Sequence, residues 1–126
     1  MTDIKLLDTS IWMDYFLKEN FKEIIDAEEN FLLSTISLFE IKSKLLKKNV
    51  KKQEIEEKLS FIKKKSLIIP VTEDIAEGAA QISAESNLPA IDSIIYSTAK
   101  NNNSKLVTID NDFRGLSEVI FPKGSV

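Results

Sequence analysis

IKLLDTS at residues 4–10 and KLVTID at residues 105–110 are two short apolar runs that each end at an aspartate. Both runs are predicted to be buried β-strands, and the segments between them place apolar residues at helical spacing. Strands that alternate with helices from end to end are typical of a parallel sheet with helices on both faces. We therefore predict an α/β fold in which one domain spans residues 1–126.

The remaining elements are predicted from apolar periodicity and from residues that cap helices. Three further strands are expected: residues 31–34, residues 66–71 with a break at Pro70, and residues 118–122 at a sheet edge. Residues suited to helix N-termini are Asp8-Thr9-Ser10, Ser37, Thr72 and Pro89. Six helices are predicted: from Asp8-Thr9-Ser10 to about Leu17, from Lys22 to Glu28, from Ser37 to about Lys48, over 51–64, from Thr72 past Ile82, and from Pro89 to about Asn101. Residues 111–116 are predicted to form a short turn or helix.

Histidine and cysteine are both absent from the sequence. Their absence excludes disulfides, thiol catalysis, thiolate zinc sites and serine–histidine triads. The net charge of −3 gives no general case for nucleic-acid binding, although ten lysines fall within residues 42–65. That basic segment is either the solvated face of two helices, which we favour, or a guide for a polyanion.

The location of the protein is predicted from what the sequence lacks. No apolar stretch approaches the roughly 20 residues that span a bilayer. The first residues carry an acid and no basic segment ahead of an apolar one, so we expect no signal peptide. These patterns are typical of a cytoplasmic protein with no membrane partner.

Four carboxylates each lie just past an apolar run, and they are the candidate functional residues. Asp8 and Asp110 directly follow predicted strands, so both are expected at the carboxyl edge of a parallel sheet. Glu40 and Asp92 are predicted in the first turns of helices that begin at the same edge. A carboxylate beside apolar residues is costly to bury unless it meets a cation or hydrogen-bond donors. We therefore expect folding to gather all four in one site.

A shared acidic site of this kind predicts a bound divalent ion. Carboxylates that are packed together repel one another, which raises the pKa of some of them unless a cation offsets the charge. With no nitrogen or sulfur ligand in the sequence, oxygen donors suit a hard ion such as Mg²⁺ or Mn²⁺. Such an ion polarises phosphoryl oxygens and lowers the pKa of a bound water.

Four motifs resemble the PIN-domain family and, within it, the VapC-like toxins. The motifs LLDTSIWMDYF, the glutamate of ISLFEI, PAIDSIIYSTA and LVTIDNDF occur in the family's order and spacing from Asp8 to Phe113. The resemblance implies a three-layer α/β/α fold with a central, mainly parallel sheet of four to five strands. It also implies a metal-dependent ribonuclease. The implied catalytic residues and metal ligands are Asp8, Glu40, Asp92 and Asp110.

The resemblance further implies supporting residues and partners. Ser10 and Thr108 match small polar positions that support the site in relatives, and Asp112 matches an acid often found two residues after the fourth. The toxins of the family usually pair with a small VapB-like antitoxin and often form homodimers. RNA is the implied substrate, and Mg²⁺ or Mn²⁺ is the implied cofactor.

Several of these residues have simpler explanations. The alternatives are a plain helix cap for Asp8, an exposed helix residue for Glu40, a partner of the helix dipole for Asp92 and a turn residue for Asp110. Asp112 is equally well explained as a cap for the segment FRGL. Arg114, the only arginine, either contacts phosphate or pairs with an acid, and we favour the pair. Trp12, Phe16 and Phe39 are expected in the core rather than as nucleobase platforms.

Two functions of different classes follow from the sequence. The first is a metal-dependent endoribonuclease, which the intact acidic quartet favours. The resemblance implies that this nuclease is the toxin of a type II toxin–antitoxin pair. The alternative is a non-catalytic PIN-like scaffold that acts through protein partners. For a partner helix, an apolar groove is expected near Trp12, Phe16 and Leu45.

Overall fold

Five short strands form one sheet in which every neighbouring pair is parallel, in the order β3-β2-β1-β4-β5. The computed structural model describes residues 4–27 and 30–123. The prediction of an α/β fold built on a parallel sheet is confirmed, and β5 lies at the predicted edge. The strands are β1 (Lys5–Leu7), β2 (Phe31–Ser34), β3 (Ser66–Ile69), β4 (Lys105–Val107) and β5 (Val119–Ile120).

The strands are connected by helices close to the predicted positions. They are α1 (Thr9–Lys18), α2 (Lys22–Ile25), α3 (Thr35–Lys47), α4 (Lys52–Lys65), α5 (Glu73–Ser86) and α6 (Ala90–Asn101), with a 3-10 helix at Asn111–Phe113. The predicted end of the second helix, Glu28, lies outside the described residues. Within residues 4–27 and 30–123, no helix has the length and apolar character needed to cross a membrane.

Successive strand residues point into two separate apolar cores, one on each face of the sheet. Leu7 and Val107 pack with the apolar faces of α1 to α4. Leu6 and Leu106 pack on the other face with residues of α5, α6 and the 3-10 helix. The structure therefore has three layers, and the parallel register of β1 with β4 brings the carboxyl ends of both central strands to one rim.

β3 ends at the break predicted at Pro70, whereas β4 and β5 end earlier than the sequence predicts. For β3 and β4 the reason lies in backbone N–H groups. β3 stops at Ile69 because Pro70 has no N–H to donate to a ladder. β4 was expected to reach Ile109 but ends at Val107. The N–H groups of Ile109 and Asp110 donate instead to side-chain hydroxyls, at 3.2 and 3.0 Å. The chain thus leaves the sheet where the candidate site begins.

The N-terminus of α3 differs from the prediction. Ser34, the last residue of β2, accepts a hydrogen bond from the Ile36 N–H at 3.2 Å and caps the helix. The predicted cap, Ser37, lies inside the first turn, fully buried, with no hydrogen-bond partner for its hydroxyl. β2 runs into α3 without a loop, so the cap falls on the final extended residue. The predicted cap of α5 is confirmed, because the Thr72 hydroxyl accepts from the Ile75 N–H.

One of the three predicted core aromatics is exposed. Trp12 is fully buried and Phe16 is partly buried against the same core, but Phe39 is 62% exposed. The inward-facing residues of α3 are Leu38, Ile41 and Leu45. Phe39 comes one residue after Leu38, and one residue of helix turns its side chain about 100° away from that face. Because Trp12 and Leu45 are fully buried, neither lines an open groove for a partner.

Candidate metal site

Asp8 and Asp110 lie at the same rim, at the carboxyl ends of the two central strands. Asp8 follows β1 and occupies the N-cap position of α1. Its own N–H donates to the Val107 carbonyl at the end of β4, at 2.9 Å. This bond extends the ladder past both strands, so the two chain segments that carry the acids remain side by side.

Asp8 is a buried carboxylate held by hydroxyl donors. Only 3% of the residue is exposed, and its Oδ2 accepts hydrogen bonds from Ser10 Oγ at 2.8 Å and Thr108 Oγ1 at 2.7 Å. Burial raises the pKa of the Asp8 carboxyl, and the hydrogen bonds from Thr108 and Ser10 act in the opposite direction. The hydrogen bonds from Ser10 and Thr108 therefore offset part of the free-energy cost of burying the Asp8 charge.

The hydroxyls of Ser10 and Thr108 join the start of α1 to the segment that follows β4. Ser10 Oγ accepts from the Ile109 N–H at 3.2 Å, and Thr108 Oγ1 accepts from the Asp110 N–H at 3.0 Å. Each hydroxyl thus donates to Asp8 and accepts from the backbone that leads to Asp110. Both residues therefore link Asp8 to the segment that carries Asp110.

Three aspartates come together at the same rim of the sheet. One carboxylate oxygen from each of Asp92, Asp110 and Asp112 lies within 4.8 Å of the others. Asp110 Oδ1 accepts from the Asp112 N–H at 2.9 Å, and the resulting 3-10 turn directs both acids to one side. Asp92 lies in the first turn of α6, which begins directly after Pro89. Asp112, expected only as a supporting residue or a cap, is part of this cluster.

Glu40 lies deeper in its helix than the sequence indicates. α3 begins at Thr35, so Glu40 is in the second turn and not the first. Its Oε1 accepts a hydrogen bond from Thr9 Oγ1 at 2.7 Å, which ties α3 to the start of α1. Sequence reasoning treated Thr9 only as a possible cap; its position between Asp8 and Ser10 was the available signal.

The carboxylates of this rim act on one another electrostatically. The pKa of Asp92 is raised to about 7, first by burial and then by repulsion from Asp110, Asp8, Asp112 and Glu40. All four predicted acids, together with Asp112, therefore contribute to one electrostatic site. A carboxyl half protonated near neutral pH is the expected consequence of clustering acids without a counter-charge.

The donor set fits a hard divalent cation. Every candidate ligand of the cluster is a carboxylate oxygen, which suits Mg²⁺ or Mn²⁺. Asp92, Asp110 and Asp112 are close enough to share one ion, with Asp8 and Glu40 beside them. A cation at this position would relieve the repulsion that raises the pKa of Asp92.

Arg114 directly follows the 3-10 helix. We predicted that it pairs with an acid, and within the described residues it does not. Its Nε donates to Asn111 Oδ1 at 2.8 Å, and its guanidinium lies over the ring of Phe121. None of the ion pairs between residues of the described ranges includes it.

The fold and the site define a three-layer α/β protein with an acidic cluster at the carboxyl rim of a parallel sheet. The family model for the PIN domain matches residues 5–119, and the chain belongs to this family. PIN-domain proteins are generally nucleases that use a divalent metal. The sequence-based resemblance to this family is confirmed.

Solved structures of toxins share the fold. A toxin–antitoxin complex from Klebsiella pneumoniae is 26% identical, with a TM-score of 0.77, and the match covers 94% of this chain and 98% of that one. VapBC2 from Rickettsia felis, bound to a DNA fragment from its promoter, is 21% identical with a TM-score of 0.77 and coverage of 97% and 99%. VapC20 from Mycobacterium tuberculosis, a toxin that cleaves the sarcin–ricin loop, is 16% identical with a TM-score of 0.74 and coverage of 94% and 99%. Curated protein sequences give no match.

Proposed function

We propose that this PIN-domain protein is a metal-dependent endoribonuclease. The observation that carries the proposal is the cluster of Asp92, Asp110 and Asp112, whose carboxylate oxygens lie within 4.8 Å of one another. Burial first, and then repulsion from the neighbouring acids, raises the pKa of Asp92 to about 7. Carboxylates packed this closely repel one another and favour a bound cation, which can act chemically on an anionic substrate. A similar structure belongs to a toxin that cleaves the sarcin–ricin loop, which supports RNA as the substrate class.

The positions of the carboxylates assign them different roles in binding the ion. Asp92, Asp110 and Asp112 would hold the ion, because their oxygens already lie within 4.8 Å of one another. Asp8 and Glu40 are oriented by hydroxyl donors and would complete the site directly or through water. When bound, the divalent ion supplies a polarised phosphoryl oxygen and a water of lowered pKa.

Proton transfer falls to whichever carboxylate is not engaged with the ion. Glu40 lies outside the three-aspartate cluster, and where it does not hold the ion its carboxylate, oriented by Thr9, is suited to orient the attacking water or accept its proton. Ser10 and Thr108 donate hydrogen bonds that favour the ionised form of Asp8 and fix its position, and they hold the backbone that leads to Asp110. The lysines of residues 42–65 are mostly exposed on α3 and α4, and α3 also carries Glu40, so positive charge lies on an element that reaches the site.

The activity is tested by cleavage of a structured RNA with Mg²⁺, with Mn²⁺ and with a chelator. Asp8→Asn and Asp110→Asn should each lower the rate by roughly two to four orders of magnitude, the range for a group that acts on the reacting atoms. Glu57→Gln, an exposed acid of α4, is the matched control and should cleave at the wild-type rate. Activity that survives both the chelator and Asp8→Asn would reject the mechanism.

Calorimetry separates the nuclease from the non-catalytic scaffold. The nuclease proposal requires measurable Mn²⁺ binding that Asp92→Asn weakens. A folded wild-type protein that binds no Mn²⁺ and cleaves no RNA would instead favour a scaffold that acts through partners.

We further propose that the protein is the toxin of a toxin–antitoxin pair and acts in the cytoplasm. Similar structures from Klebsiella pneumoniae and Rickettsia felis are toxin–antitoxin complexes. Leu17 is 44% exposed and follows the partly buried Phe16, whose ring contacts Phe61, and the surface around Leu17 is our candidate for the antitoxin contact. Leu17→Glu should weaken co-purification with the product of an adjacent short gene. Leu67→Glu, at a leucine of β3 that is 62% exposed, should not.

A homodimer is the proposed state of the protein without its partner. Phe39 and Leu46 of α3 are 62% and 53% exposed, and together they form an apolar patch that a second copy would cover. Sedimentation should show a dimer for the wild-type chain and a monomer for Phe39→Glu. A wild-type monomer at high concentration would contradict this state without affecting the nuclease proposal.

A further inference from the structure

Arg114 lies next to the acidic rim. It follows the 3-10 helix Asn111–Phe113 directly, two residues after Asp112. Two residues of chain span at most about 7 Å, so the arginine backbone is close to the carboxylate cluster. It is also the only arginine of the protein, among sixteen lysines that complete the seventeen basic residues.

The guanidinium is held in place by neighbours on two sides. Its carbon lies 4.2 Å from the centre of the Phe121 ring, and its Nε donates to Asn111 Oδ1 at 2.8 Å. Phe121 follows β5 and packs against the core formed with α5 and α6, which gives the arginine a firm base. A side chain immobilised in this way loses little rotamer freedom when it binds a ligand.

The two Nη groups of Arg114 are not committed to another side chain. The hydrogen bonds and ion pairs between residues 4–27 and 30–123 include none from these nitrogens. Stacking on one ring face leaves the planar edge of the guanidinium accessible, and the residue as a whole is exposed. The four N–H donors of such an edge match the oxygens of a phosphate group.

We propose that Arg114 binds a backbone phosphate of the RNA strand next to the one that is cleaved. The inference rests on the proposed nuclease function and adds to it a residue that positions the substrate. An RNA strand that approaches five clustered carboxylates is repelled, and a fixed positive charge at the edge of the cluster offsets this repulsion. Phosphate contacts of this kind set the register of a strand without reading its sequence.

Binding of a fluorescent single-stranded RNA, followed by anisotropy across a range of salt concentrations, tests the proposal. The measurements use Asp8→Asn as the background, so that the RNA stays intact. Arg114→Ala removes the guanidinium, Arg114→Gln keeps a polar side chain of similar reach without charge, and Arg114→Lys keeps the charge alone. Lys18→Ala is the matched control: it removes one exposed positive charge at the far end of α1, about 15 Å of helix from the rim.

The expected result has two parts. Arg114→Ala and Arg114→Gln should weaken RNA binding about tenfold and reduce the slope of log affinity against log salt by about 0.7, the value for one phosphate contact to a single strand. Arg114→Lys should restore the slope but only part of the affinity, because it lacks the planar fork. In the active chain, Arg114→Ala should raise KM more than it lowers kcat, and Lys18→Ala should change neither.

Two outcomes would overturn the inference, and they are distinguishable. If the wild-type chain cleaves RNA while both uncharged variants keep its affinity and its salt slope, Arg114 serves only to pack against Phe121, and the nuclease proposal stands. A melting temperature lowered without any change in the salt slope would support that packing role. If the folded wild-type chain neither binds nor cleaves RNA, both proposals fail together.

Discussion

Asp92→Asn should make the metal-free protein more stable at alkaline pH. The Asp92 carboxyl has an ordinary pKa of 3.8 and a folded-state pKa of about 7. The folded chain therefore binds this proton more tightly than the unfolded chain does, so the wild-type protein loses stability as pH rises from about 4 to about 7. Asparagine mimics the protonated carboxyl at every pH and removes that loss.

The magnitude follows from the two pKa values. A difference of about three pH units, at about 1.36 kcal/mol each, sets a ceiling of about 4 kcal/mol. Asp92 is only partly buried, so solvent screening reduces the effect to about 2 kcal/mol. For a domain of this size, this corresponds to a rise in Tm of about 8 °C.

Thermal unfolding followed by circular dichroism, in a chelator, measures the effect. The Tm of Asp92→Asn should exceed that of wild type above about pH 7, and the difference should shrink toward zero near pH 4. Added Mg²⁺ should raise the Tm of wild type but have little effect on the variant. Glu57→Gln, which removes an acid outside the cluster, should behave as wild type. If Asp92→Asn is no more stable than wild type at high pH, burial and the neighbouring acids do not raise the pKa of Asp92 as inferred.

Three other substitutions test the supporting structure. Thr108→Val removes a hydroxyl donor from buried Asp8 and should lower the free energy of unfolding by about 1–3 kcal/mol in urea titrations; an unchanged midpoint would refute the Asp8 contact. Thr72→Ala removes the cap of α5 and should destabilise by about 1 kcal/mol, a loss that Thr72→Ser should largely restore. Trp12→Ala empties a fully buried site and should lower stability by about 3–5 kcal/mol, whereas the exposed Phe39→Ala should change it little.

Sequence periodicity predicts the layers of this fold well and the ends of its elements less well. Short apolar runs at 31–34 and 105–107 are strands, as their patterns indicate, since a strand buried on both faces needs apolar residues throughout. Ser37 was the wrong cap because the choice between Ser34 and Ser37 depends on where β2 stops pairing with its neighbours. That point is set by the sheet and not by local propensity.

In the candidate site, too, the sequence predicts some features and only the tertiary structure sets the others. The position of Asp8 and Asp110 after apolar runs was enough to predict that they lie at one rim. The placement of Asp112 within 4.8 Å of Asp92 and Asp110 was not predictable, because it depends on the 3-10 turn that Asp110 caps. Likewise, the bond from Thr9 to Glu40 joins residues 31 positions apart and leaves no periodic signal in the sequence.

The sequence by itself determined the parallel α/β architecture and the presence of an acidic rim, because alternating apolar periods and strand-end carboxylates are local patterns with one consistent arrangement in space. Only the tertiary structure decided which carboxyls share a cluster, that Phe39 faces solvent, and that Arg114 rests on Phe121. Those outcomes depend on distances of a few ångströms between elements far apart in the chain, and such distances are set by the packing of the whole domain.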